Sequence, residues 1–239
     1  AVIVIYGTES LSGEIDLATD SPDVWITAGE GDSLGQSIQV ADVNGDEIQD
    51  LILGAPDADP DPDELGSRSQ AGVVHVIYGS AGLSASIDLN STPADITVSG
   101  NNENGRSSSI GERMAVGDVN GDGYSDFFFG YYHAQVEGWD SPGHSGIFWG
   151  ILGSATLNSS YDVGAGEFDF KTFGTPESYG LGALVTTGDF DDDGYDELII
   201  QITDSPHGAV AVIAGSEDFG GIGDIDVFTD SSGSYPVNQ

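Results

Sequence analysis

Short apolar runs bounded by Gly, Pro, Asn or Asp recur along the whole chain and carry its first structural signal. In one stretch they are Met114–Val116, Asp126–Phe129, Gly146–Trp149 and Glu167–Phe170, rich in the Val, Ile, Phe and Tyr that suit a half-buried pleated strand. No window holds an apolar stripe at helical spacing, and 36 glycines disfavour one. The pattern predicts an all-β chain with four strands to a unit, joined by turns.

The units repeat. "VIYGTESLSGEIDL" from Val4 aligns without gaps on "VIYGSAGLSASIDL" from Val76, and looser copies run as "IFWG…YDV" from Ile147 and "AVIAG…IDV" from Ala211. Three acidic stretches keep the same rhythm: "DVNGDEIQD" from Asp42, "DVNGDGYSD" from Asp118 and "DFDDDGYDE" from Asp189, 76 and 71 residues apart. Four turn-joined strands at this period predict a β-propeller blade better than a solenoid coil, whose repeats are shorter. About three and a half blades fit in a single domain of 239 residues. Residues 1–33 end one blade, 34–110 and 111–179 are blades, and 180–239 form another that need not be complete. On this reading the chain starts at a third strand and stops shortly after another third strand, leaving two sheet edges to be covered.

Charge narrows the partners. Four Lys and Arg stand against 41 Asp and Glu, for a net charge of −37, which excludes nucleic acid and anionic membranes because phosphate binding needs clustered cations. Salt adaptation explains general acidity of this kind, but not carboxylates at fixed spacing. With no cysteine, neither a disulfide framework nor a thiolate metal site is available. The apolar N-terminal run "AVIVIYG" lacks a basic flank and is too short for a signal segment or a membrane span, so it reads as a strand.

The acidic stretches alternate oxygen donors, the pattern that a hard cation such as Ca²⁺ requires. The first offers side chains of Asp42, Asn44, Asp46 and Asp50 with the carbonyl of Ile48; the second offers Asp118, Asn120, Asp122 and Asp126 with the carbonyl of Tyr124. The third offers Asp189, Asp191, Asp193 and Glu197 with the carbonyl of Tyr195. An EF-hand opens alike but needs a Glu at position 12, where these loops hold Leu53, Phe129 and Ile200. The loop therefore closes at position 9 and enters a strand. Metal-free Asx turns are the competing reading, and three copies in register argue against it. If position 6 needs a left-handed backbone, Glu47 is a poorer occupant than Gly123 or Gly194, so the expected order of affinity is third, second, first. "GGIGDID" from Gly220 is similar to a β-roll calcium repeat, but it occurs once and reads as a plain turn.

"LGQSIQVADVNGDEIQDLILGAP" from Leu34 resembles the FG-GAP repeat of integrin alpha-subunit β-propellers and of many bacterial surface proteins, and the likeness extends over nearly the whole chain. The Phe-Gly pair is replaced by Leu34-Gly35, Ile110-Gly111 and Tyr179-Gly180. Gly54-Ala55-Pro56 becomes Gly130-Tyr131-Tyr132 and Gln201-Ile202-Thr203. The resemblance implies a propeller closed at about seven blades, of which this chain holds roughly half, and Ca²⁺ in the three loops.

Other chemistry is sparse. His75, His133, His144 and His207 lack metal-ligand spacing, and no nucleophile elbow, P-loop or zinc-protease motif occurs. The connections between second and third strands vary most, and strand order puts them opposite the acidic loops, together with "GNNENGRSSSIG" from Gly100. Tyr131, Tyr132, Trp139 and Arg106 are the candidate contacts there, since aromatics and Arg dominate binding sites. The resulting expectation is a non-catalytic, calcium-binding propeller at a cell surface or outside the cell, for adhesion or for recognition of a protein or glycan. Two alternatives stand: a structural module that associates with copies of itself or with further repeats, and the accessory propeller of a secreted hydrolase.

Overall fold

A computed structural model of the chain describes residues 1–7, 15–60, 68–103, 106–133, 145–174, 181–203, 209–221 and 224–226. Among them there is no α-helix, only strands and two short 3-10 turns. Two antiparallel meanders are complete. Blade II runs Ile38–Ala41, Asp50–Ala55, Val73–Ile77 and Ile96–Ser99, and blade III runs Arg113–Gly117, Asp126–Tyr131, Ile147–Ile151 and Phe170–Phe173. Blade I contributes the pair Val2–Val4 and Val24–Thr27, and blade IV the three strands Leu181–Gly188, Glu197–Ile202 and Ala209–Ile213. The fold is all-β and built from four-stranded antiparallel blades, as the repeats predict.

Blades stack because alternate side chains of each strand face opposite neighbours. Between blades I and II, Val2, Val24 and Ile26 meet Leu53, Ala55, Val73 and Ile77. Blade II then turns Ile52, Val74, Val76 and Val98 toward Met114, Phe127, Phe129 and Trp149 of blade III. Phe128 and Phe170 of blade III close on Leu198, Ile200 and Ile202 of blade IV, and Phe219 completes an aromatic cluster with centroids 5.0 to 6.0 Å apart. Gly54 is required at one seam, since a Cβ there would run into the carbonyl oxygen of Gly111 on the next blade.

A fifth strand, absent from the four-strand expectation, ties each blade to the one before. Ser86–Asp88, Ser160–Asp162 and Asp224–Asp226 leave their own units and pair in parallel with Val24–Thr27, Ile96–Ser99 and Phe170–Phe173. These ties are the "IDL", "YDV" and "IDV" ends of the sequence repeat, so Gly220–Asp226 holds a 3-10 turn and a strand rather than a plain turn. The first copy, Ile15-Asp16-Leu17, closes the same turn: Ala18 N–H donates to Asp16 Oδ1, and Thr19 and Asp20 N–H donate to its carbonyl. Asn90, Ser91 and Thr92 do the same around Asp88. Ile87 and Leu89 are partly buried, whereas Ile15 and Leu17, with no described strand beside them, are 41% and 52% exposed.

The fourth strand of blade III also sits later than its apolar run suggests, at Phe170–Phe173 rather than Glu167–Phe170. Glu167 is occupied elsewhere, its carboxylate accepting from Asp162 N–H at 2.7 Å, while Asp162 caps the 3-10 turn Val163–Ala165. Side-chain capping outcompetes strand pairing at those residues.

Candidate functional site

The three acidic loops link the first and second strands of blades II, III and IV and share one hydrogen-bond scheme. The carboxylate at position 1 accepts backbone N–H donors from positions 5 and 6: Asp46 and Glu47 to Asp42, Asp122 and Gly123 to Asp118, Asp193 and Gly194 to Asp189, all at 2.8 to 3.2 Å. The position 5 carboxylates of Asp46, Asp122 and Asp193 accept from the N–H of Ile48, Tyr124 and Tyr195 at 2.8 to 3.0 Å. Asn44 and Asn120 accept from the N–H two residues on. Position 6 is left-handed in the first two loops, with φ of 66° at Glu47 and 88° at Gly123, and φ is 94° at Gly194. Glu47 therefore holds a conformation that favours glycine.

Position 9 anchors each loop in the interior. Asp50 and Asp126 are wholly buried: Asp50 accepts from Val43 and Gly79 N–H, and Asp126 from Val119 and Gly153 N–H, at 2.8 to 3.0 Å. Glu197 is also buried and accepts from Phe190 N–H at 3.1 Å. Burial raises the carboxyl of Asp126 to about 7 against the pull of those two donors, with Asp122 and Asp118 adding repulsion. Asp50 is raised for the same reasons, burial foremost. Among the described residues, the third loop alone gathers three carboxylates, Asp189, Asp191 and Glu197, with oxygens within 4.8 Å of one another, and that cluster could hold a metal ion. An all-oxygen donor set on a buried anionic anchor fits a hard cation such as Ca²⁺.

Neighbouring loops are stitched together along this rim. Ser125 N–H donates to Asp42 O and Asp196 N–H to Asp118 O, each at 2.9 Å. The ring of Tyr124 lies where a Cβ on Gly45 would project, and that of Tyr195 stands in the same relation to Gly121. At the matching position the third loop carries Asp192, left-handed at φ 64°.

On the opposite rim, Tyr131 ends the second strand of blade III, and Tyr132 and His133 follow it in a cluster of rings with centroids 3.8 to 5.9 Å apart. The guanidinium of Arg113 lies 5.6 Å from the centre of the Tyr132 ring and donates to Ala183 O across the seam to blade IV. Tyr131 and Tyr132 line a cleft of about 240 Å³ with Gln36, Asp57, Ser109 and Glu112. Burial raises the Glu112 carboxyl; Arg113, 3.4 Å from its Oε1, lowers it, and Asp57 raises it further. Arg106 stands in the hairpin Asn102–Glu103 and Arg106–Ser107, and Trp139 lies outside the described residues. Sequence reasoning missed Glu112 and Asp57; the one signal that could have found them is positional, for one follows Gly111 and the other follows Pro56 at the blade-joining turns.

Residues 34–77 match the FG-GAP repeat family. The chain thus carries an FG-GAP repeat over those residues. It is 29% identical over 176 residues to integrin alpha-PS2 of Drosophila melanogaster, an alignment that covers 71% of this chain and 11% of that relative. The matched FG-GAP segment contains the whole first acidic loop and the Gly54-Ala55-Pro56 turn that abuts Gly111. No helix among the described residues is long and apolar enough to cross a membrane.

Proposed function

We propose that this chain is a non-catalytic propeller segment, continuous over residues 1–239, that binds Ca²⁺ in three loops and presents its opposite rim for adhesion or for recognition of a protein or glycan outside the cell. The observation that carries the reading is the buried acid at position 9 of every loop, held by backbone donors and surrounded by further carboxylates with no cationic side chain in the loop. Such an arrangement is costly in the absence of a counter-charge. Bound Ca²⁺ supplies that charge, with Asp42, Asn44, Asp46 and Asp50, their counterparts in the second loop, and Asp189, Asp191, Asp193 and Glu197 as its ligands. The carbonyls of Ile48, Tyr124 and Tyr195 complete the sets. FG-GAP and integrin likeness supports the adhesive, extracellular and non-enzymatic part of the proposal.

Chelation tests it. A ligand present at a hundredfold excess over its Kd stabilises the native state by about 2.7 kcal/mol per site, so EDTA should lower the melting temperature by many degrees and open the chain to protease. Millimolar Mg²⁺ should restore little, because it demands a tighter octahedron. If NaCl at matched ionic strength restores everything, the loops are solvated turns and the metal reading is wrong.

A further inference from the structure

We propose that Asp196 of the third loop is the positioning residue of the second calcium site, and that through it the second and third sites fill cooperatively. This rests on the calcium reading above and adds a coupling between two of its sites.

The first ground is a reciprocal clamp. Asp118, at position 1 of the second loop, has both of its backbone groups bonded to one residue of the next blade: Asp118 N–H donates to Asp196 Oδ2, and Asp118 O accepts from Asp196 N–H, each at 2.9 Å. Asp196 in turn stands between Tyr195, whose carbonyl is a ligand of the third site on the calcium reading, and Glu197, the buried acid at position 9. A cation that fixes Tyr195 and Glu197 fixes Asp196 between them, and with it the backbone from which the Asp118 carboxylate projects. One ordering then serves two sites, so whichever fills first lowers the cost of filling the other.

The second ground is a comparison along the repeat. At the seam between blades II and III the equivalent residues are Asp42 and Ser125. Ser125 N–H donates to Asp42 O at 2.9 Å, as Asp196 does to Asp118, but serine has no carboxylate with which to return the bond. The room at the two seams differs to match. The Asp196 carboxylate lies against Gly117, its Oδ2 2.5 Å from where a Cβ would stand, and the side chain of Thr187, whose hydroxyl donates to Val116 O, lies within 2.6 Å of the same point. The first loop carries the buried Ala41 at that position, whose methyl group takes the space. Glycine and aspartate go together at one seam, alanine and serine at the other, so the clamp joins the second and third loops and not the first. Linkage makes its effect mutual, and couplings of this kind are worth about 5- to 150-fold in affinity.

Calcium titration of the chelated full chain should be followed site by site by NMR, through the position 6 amides of Glu47, Gly123 and Gly194 that donate to the position 1 carboxylates. Asp189→Ala, which empties the third site, should weaken the second about tenfold, and Asp118→Ala should weaken the third by the same factor. Asp196→Ala should weaken the second site about tenfold and leave the first unmoved. Asp196→Asn, whose amide oxygen can still accept from Asp118 N–H, should recover most of that loss. Should Asp196→Ala fail to fold, the reciprocal pair Asp189→Ala and Asp118→Ala decides. The proposal is overturned if the second and third sites fill independently, if Asp196→Ala weakens all three sites alike, or if Asp196→Asn is as damaging as Asp196→Ala. Independent filling leaves the calcium reading standing, whereas no calcium binding at any of the three loops removes both.

Discussion

The loops of Asp42–Asp50 and Asp189–Glu197 repeat one hydrogen-bond scheme in two settings. In the first, the ring of Tyr124 from the next blade lies over Gly45, and Asp42 O accepts from Ser125, so the loop is part of a seam. In the third, Asp192 takes the left-handed position and is exposed. The position 9 acids differ too. Asp50 has both oxygens engaged by backbone N–H groups, whereas Glu197, one methylene longer, brings an oxygen within 4.8 Å of Asp189 and Asp191. One loop is shaped foremost by packing, the other by charge. The difference teaches that equal sequence motifs along a repeat do not make equal sites, because the next blade decides how much room a loop keeps.

A methyl group separates the two settings most sharply. Gly45→Ala would drive a Cβ into the Tyr124 ring at a φ of 77°, and should destabilise the chain by about 3 kcal/mol in urea unfolding. Asp192→Ala, at the matching position of the third loop, should cost less than about 1 kcal/mol. Equal losses would mean that the seam does not distinguish them.

Acid separates the blade interior from the loops. Burial pushes His75 down to about 4, and its shielded Nδ1 has no hydrogen-bond partner, so the ring is neutral in the folded chain. The unfolded chain binds the proton at its ordinary value near 6.5. Stability from this group is therefore complete above pH 6.5, is lost as the pH falls toward 4, and amounts to on the order of 3 kcal/mol. His75→Gln should flatten that part of the difference between melting curves at pH 7 and pH 4.5, measured in EDTA so that calcium release does not contribute. An unchanged profile would place the acid sensitivity elsewhere.

The smallest effect is a gain. Glu47→Gly relieves the left-handed strain at position 6 of the first loop, and should stabilise that loop by about 0.5–1 kcal/mol and tighten its calcium affinity accordingly. The same residue at position 6 of the third loop, Gly194→Glu, should do the reverse.

Blades and loops were legible because both are periodic. Val, Ile and Phe runs marked the strands, and the spacing of Asp42, Asp118 and Asp189 marked the turns between them. The left-handed position 6 could be anticipated from Gly123 and Gly194, and it exposed Glu47 as the exception. The parallel ties escaped notice because three residues such as Ser160–Asp162 are too short to show a period, and their pairing lies on another blade. The cleft was half visible. Tyr131 and Tyr132 stood out by type, but Glu112 gains its significance from burial and an unfilled acceptor, which only packing creates.

Calcium titration of the chelated chain by isothermal calorimetry, repeated on Asp42→Ala, Asp118→Ala and Asp189→Ala, tests the central claim most directly. The account predicts three sites, one lost in each variant, with Asp189→Ala removing the tightest. Absence of calcium binding, or loss of the tightest site in Asp42→Ala, would contradict it.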